Sequence, residues 1–172
     1  MKKLEGKRIV IVIAPSMFRD EEFKVPYDYL KSSGAEVKVA STTLSEATGK
    51  LGMKVKPDIT INKINPDEFD AIIFVGGPGV KQFWNDKTIH NIAVGFYNKK
   101  KITAAICSAP VILARAGLLE GKNATSFPGD EDEMKKGGCH FTGKITEKDG
   151  IIITGNGPAA SQSFASLIEE SI

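Results

Sequence analysis

Cys107 ends the apolar run Ile102-Thr103-Ala104-Ala105-Ile106 and is followed at once by Ser108-Ala109-Pro110. A strand that hands over to a helix through so tight an elbow thrusts the elbow side chain above the sheet. The thiol then lies at the carboxyl end of a strand and the amino end of a helix, a setting that favours a reactive thiolate. A thiolate attacks carbonyl carbon and is itself attacked by peroxide. Backbone N–H groups at the helix start would hold a developing oxyanion. A second apolar run ends in Gly76-Gly77-Pro78-Gly79. Glycine lets the backbone approach closely, so Gly76 and Gly77 are placed to add another N–H. This run matches neither phosphate-loop pattern, and its plain alternative is a tight strand-to-helix turn. Glu21 and Glu22 open a helical stretch, where acids ordinarily serve the helix dipole. A carboxyl group beside a thiolate is also pushed toward its neutral form and becomes a proton donor.

The elements that must position these residues alternate in type. Arg8 to Ala14 is β-branched and apolar, the pattern of a strand buried on both faces. Glu21 to Ser33 reads as a helix stopped by Gly34, with Phe23, Tyr27 and Leu30 on one side. Strands follow at Glu36 to Ser41 and Asp70 to Val75. Residues 42 to 69 carry a weaker pattern, in which Val55, Ile59 and Ile61 suggest a short strand or hairpin arm. Asn85 to Asn98 is helical. Ile102 to Ile106 is the strand before the elbow, and Ala109 to Ala116 the helix after it. Asp130 to Glu133, then Lys135, Lys136 and Gly137, describes one short capped helix. Ile151 to Thr154 is a last strand, and Gly157-Pro158 opens a final helix through Glu170. Buried strands alternating with helices predict one three-layer α/β domain over residues 1 to 172, flavodoxin-like, with a mostly parallel sheet. Ligands of such sheets bind at the carboxyl ends of the strands, where the loop after Ala14, the glycines after Val75 and Cys107 all fall.

The 172 residues carry a formal net charge of +2, which marks neither a nucleic-acid nor a membrane binder. The apolar stretch Ile9 to Ala14 is too short to span a bilayer, and a cytoplasmic protein is expected. Two cysteines, Cys107 and Cys139, lie far apart and in no CxxC pair, and only His90 and His140 are present. Neither a disulfide framework nor a metal site is expected. No cofactor is implied, because a thiol needs none.

In this order and spacing the segments resemble the ThiJ/PfpI superfamily, also called the DJ-one family, over nearly the whole chain. The resemblance is carried by Glu22-Phe23-Lys24-Val25-Pro26, by Ile72-Ile73-Phe74-Val75-Gly76-Gly77-Pro78-Gly79 and by Ala105-Ile106-Cys107-Ser108-Ala109-Pro110. Thr125-Ser126-Phe127-Pro128-Gly129 and Asp149-Gly150-Ile151-Ile152-Ile153-Thr154-Gly155-Asn156-Gly157-Pro158 add to it. It implies that Cys107 is the nucleophile or oxidation-sensitive thiol. It matches Glu22, four residues before Pro26, to the family glutamate that bonds to the thiol, in preference to Glu21. It assigns oxyanion-hole N–H groups to Gly77 and Ser108. Family activities include glyoxalase and deglycase action, peroxide sensing, holdase action and, in one branch, peptidase action. Implied partners are a small carbonyl substrate or glycated protein and further copies of the chain as a homodimer or larger oligomer. Two departures stand out. Peptidase-like members carry histidine directly after the nucleophile, where this chain has Ser108. Another branch places a histidine where this chain has Phe127. The expectation is therefore a Cys107–Glu22 dyad acting on reactive carbonyls. A non-catalytic redox sensor or holdase and a cysteine peptidase or amidase are the alternatives.

Overall fold

Apolar side chains on the first strand alternate between two cores, which makes that strand the spine of the molecule. Ile9, Ile11 and Ile13 enter one core, and Val10 and Val12 enter the other. Successive strand side chains point to opposite faces, so only a strand covered on both sides reads apolar throughout. The computed structural model describes residues 1–172. Its strands in chain order are β1 (Arg8–Val12), β2 (Ser16–Phe18), β3 (Glu36–Ser41), β4 (Ala47–Gly49), β5 (Lys54–Val55) and β6 (Ile59–Thr60). They continue as β7 (Ala71–Phe74), β8 (Ile102–Ile106), β9 (Asn123–Ala124), β10 (His140–Phe141), β11 (Thr146–Asp149) and β12 (Ile152–Gly155). The helices are α1 (Asp20–Ser32), α2 (Lys87–Asn98), α3 (Pro110–Arg115), α4 (Glu131–Lys136) and α5 (Ser161–Ser171).

Seven strands form the central sheet in the order β11-β12-β8-β7-β1-β3-β6. All neighbours are parallel except β11, which runs antiparallel to β12 at the edge. Phe23 and Leu30 of α1 and Phe164 and Ile168 of α5 cover one face. Ile89 and Phe96 of α2 and Ile112 and Leu113 of α3 cover the other. The result is the expected three-layer α/β architecture with a mostly parallel sheet. No helix is long and apolar enough to cross a membrane.

The chain leaves β1 toward β3 on one side and returns through β7 and β8 on the other. The sheet's switch point therefore lies between β1 and β7, where such folds open a crevice at their carboxyl ends. Residues 42 to 69 divide their roles. Ile59–Thr60 becomes the far edge of the main sheet, whereas Lys54–Val55 joins β2 and β4 in a separate three-stranded sheet. The edge strand β11 has the sequence Thr-Glu-Lys-Asp, whose polar residues carry no apolar strand signal. The elbow helix α3 begins at Pro110 and ends at Arg115, inside the expected limits. At the last helix, Pro158–Ala160 forms a separate 3-10 turn before α5.

Candidate active site

The site residues are supplied by segments that follow the carboxyl ends of strands. The turn after β1 leads through Met17 (φ 60°) into α1, placing Glu22 in its first turn. The turn after β7 supplies Gly76 and Gly77, and β8 ends directly at Cys107. Cys107 adopts φ 64°, left-handed backbone that a side-chain-bearing residue takes at a cost on the order of 1–2 kcal/mol. The elbow is tied on both sides. Cys107 N–H donates to the Gly155 carbonyl at 2.8 Å, and the Cys107 carbonyl accepts from Phe127 N–H at 2.7 Å. This is the elbow expected from the sequence, with the thiol raised above the sheet.

The structure brings Cys107, Glu22, Gly77 and Ser108 together. A β-carbon added at Gly76 would lie 2.6 Å from each of Cys107 Cβ, Glu22 Oε1 and the Ile106 carbonyl oxygen, so only glycine fits between thiol and carboxyl. At Gly77, φ is 103°, and a β-carbon would come within 2.5 Å of Arg19 N. This glycine pair is required both by backbone conformation and by close approach. Glu22 is wholly buried. Its oxygens touch the Cys107 thiol and the Gly76 amide without completing a well-formed hydrogen bond to either. Burial dominates and pushes its pKa up to about 7, against the opposing pull of the thiol and of Arg19. Glu21 instead pairs with Arg19, Nε to Oε2 at 3.0 Å.

The ready thiolate expected from the elbow is corrected. Burial, then the charge and hydrogen bonding of Glu22, push the Cys107 thiol up to about 12. The N–H groups of Gly77 and Ser108 act on the sulfur in the opposite sense but do not prevail. The helix that follows is only six residues long and contributes a short dipole. Two of the three upward contributions come from ionised Glu22, so they vanish when Glu22 holds the proton. Thiol and carboxyl therefore behave as one unit sharing a proton.

Neither histidine enters this site. His90 is buried on α2 with Nε2 2.7 Å from the Trp84 carbonyl oxygen. His140 is exposed on β10, opposite Asn123 of β9. Cys139 is buried, and its thiol donates to the Met134 carbonyl at 3.3 Å, a structural placement.

The thiol opens into a cleft of about 190 Å³ lined by Arg19, Lys50, Gly77, Pro78, Lys81, Cys107, Ser108, Phe127 and Pro158. Phe127 is 46% exposed at its mouth. Three supports escaped the sequence reading. Asp20 accepts from Leu51 N–H and Met53 N–H, each at 3.0 Å, and so carries Lys50 to the rim. Trp84 Nε1 donates to the Ser108 carbonyl at 2.8 Å, fixing the peptide beside the thiol. Lys81 stands over the Trp84 ring at 5.4 Å. Only Arg19 had a local signal, as the residue preceding an acidic helix start. Lys50, Lys81 and Trp84 reach the site through folds of the chain that no short-range pattern records.

Comparison with known proteins adds the chain's relatives. The model of the DJ-1/PfpI family matches residues 7–171. A deglycase of Pyrococcus horikoshii, PH1704, is 36% identical over 87% of this chain and 90% of its own. A Methanocaldococcus jannaschii protein, MJ0967, is 41% identical over 95% of this chain and 81% of its own. The crystal structure of a ThiJ/PfpI domain protein from Brachyspira murdochii superposes with a TM-score of 0.93 at 34% identity, covering 95% of each chain. With the family model spanning the cysteine elbow, the glycine turn and the glutamate helix alike, this chain belongs to the DJ-1/PfpI family.

Proposed function

We propose that the protein processes reactive carbonyl compounds, in the manner of a glyoxalase or deglycase, through Cys107 and Glu22. The observation that carries this reading is the contact between a strained elbow thiol and a fully buried carboxyl group whose pKa lies near neutrality. A group titrating near working pH both donates and accepts protons efficiently. Relatives named as deglycases in Pyrococcus support the carbonyl chemistry.

On a 2-oxoaldehyde, Cys107 Sγ forms a bond to the aldehyde carbon while its proton reaches the aldehyde oxygen through Glu22. This gives a hemithioacetal. The Gly77 and Ser108 N–H groups face the thiol, where charge would build on that oxygen. Glu22 next removes the proton from the former aldehyde carbon, and proton transfer between carbon and oxygen through an enediol gives a 2-hydroxy thioester. Water cleaves the thioester, releasing a 2-hydroxy acid and restoring the thiol. The aldehyde carbon is oxidised and the neighbouring carbonyl carbon reduced, so one water balances the reaction and no outside oxidant is needed. The substrate class is a small carbonyl compound or a glycated amine, and the assembly expected of the family is a homodimer or larger homo-oligomer.

The test follows methylglyoxal loss and lactate formation together. Cys107→Ala is expected to abolish turnover, and Glu22→Gln to lower kcat about a hundredfold or more. Turnover retained in Cys107→Ala would overturn the reading.

A second reading rests on the same contact. The Glu22 carboxyl is placed to hydrogen-bond an oxidised Cys107 and arrest it at the sulfinate. Mild peroxide would then add two oxygens selectively at Cys107, with buried Cys139 spared. Oxidation of Cys139 to the same extent would count against it.

A further inference from the structure

The cleft above Cys107 is charged in a way that neither thiol chemistry nor the elbow requires. Three of its nine lining residues are cations, Arg19, Lys50 and Lys81, and none is an acid. Arg19 is partly neutralised by Glu21 at 3.0 Å. Lys50 and Lys81 make no salt bridge anywhere in the structure. Unpaired cations are common in this chain, and what sets these two apart is that both line the thiol cleft, where no acid faces them. The backbone of Lys50 and the side chain of Lys81 also have fixed partners. The backbone of Lys50 donates to the Phe18 carbonyl at 2.8 Å, and its loop is pinned by the buried Asp20 carboxylate. Lys81 lies over the Trp84 ring, whose Nε1 is anchored on the Ser108 carbonyl. The remaining acid in the site, Glu22, is buried beneath the glycine turn and lines no part of the cleft.

We infer that the Cys107 site selects carbonyl substrates that carry an anionic group, a carboxylate or phosphate, which Lys50 and Lys81 bind at the rim while the carbonyl reaches the thiol. This inference rests on the proposed carbonyl chemistry and names its substrate class. Two uncompensated cations beside a partly closed cleft raise both the local concentration and the binding of an anion, and salt screens that effect.

The probes are 4,5-dioxopentanoate, an anionic 2-oxoaldehyde, and 2-oxopentanal, its neutral five-carbon counterpart. Wild type is expected to show kcat/KM about tenfold higher for the anion. The preference shrinks in 0.5 M salt and falls toward one in Lys50→Gln/Lys81→Gln, on the order of a tenfold change. Equal kcat/KM for the two aldehydes in wild type would overturn the inference. Alkylation separates this failure from failure of the carbonyl reading, because it needs no turnover. Iodoacetate and iodoacetamide are compared at Cys107 by peptide mapping, with glutathione as the free-thiol reference. An iodoacetate-to-iodoacetamide rate ratio about fivefold above that of glutathione, lost in the double variant, upholds the anion site even if neither aldehyde is consumed. A ratio equal to that of glutathione overturns it.

Discussion

At the scale of single residues, the governing feature is one proton shared by two buried groups. The pair with Glu22 ionised and Cys107 as thiol has the same proton count as the pair with Glu22 neutral and Cys107 as thiolate. The population of the reactive form therefore levels off once the pair has lost its first proton near pH 7, until the second begins to leave at alkaline pH. Alkylation of Cys107 by iodoacetamide should rise up to about pH 7, level off, and rise again at higher pH as the thiol itself begins to ionise. In Glu22→Gln the plateau should disappear and the rate keep rising with pH. The same group links pH to stability. Glu22 moves from 4.5 to about 7, so between these values the folded state binds more protons than the unfolded state. Stability is then greatest below pH 4.5 as far as this group is concerned, and is lost as pH rises through 7. Glu22→Gln should abolish that loss and stabilise the protein at pH 8 by on the order of 3 kcal/mol, read from thermal or urea unfolding.

At the scale of elements, the site depends on turns that leave no spare volume. Gly76→Ala would set a β-carbon 2.6 Å from the Ile106 carbonyl, a backbone atom that cannot swing aside. Overpacking of this kind costs about 1–3 kcal/mol and here would also push Glu22 from Cys107. Unfolding midpoint and turnover are both expected to fall. The Trp84 indole supports the elbow from the side, through its 2.8 Å bond to the Ser108 carbonyl. Under the proposed mechanism, in which the Ser108 N–H acts on charge that develops during the reaction, Trp84→Phe should lower kcat for methylglyoxal severalfold while KM changes little. The elbow and glycine turn were legible in sequence because each couples an apolar strand to small residues with an abrupt boundary. The supporting tryptophan was not, since Trp84 and Ser108 are 24 residues apart and meet only when the chain closes on itself.

At the scale of the whole molecule, two separate cores must form on either side of one sheet before the site exists. Leu4 lies ahead of β1, is 1% exposed and joins the core shared by α1 and α5. Glu169 of α5 strengthens the same join by accepting from Lys3 Nζ and Tyr29 OH, each at 3.3 Å, and from Ser33 Oγ. Leu4→Ala should therefore cost about 2–4 kcal/mol in urea unfolding, although it is remote from the thiol. The loss should leave the pH profile of Cys107 alkylation unchanged, because α1 still delivers Glu22 to the same turn.

Sequence alone determined the architecture and the elbow. Continuous apolar strands, period-matched helices and abrupt glycine or cysteine boundaries are local signals of burial and direction, and they give layers, sheet type and the edge at which the candidate site lies. It did not determine β11, whose polar residues occupy an edge, or the protonation of the dyad. The low-pKa thiol suggested by an elbow and a helix start gave way to burial and to the carboxyl packed beside it. The balance of desolvation against charge depends on what surrounds both groups in space. Lys50 and Lys81 likewise become a cationic rim only when Asp20 and Trp84 hold their segments at the cleft. Such contacts join residues far apart in the chain, and tertiary packing alone decides them.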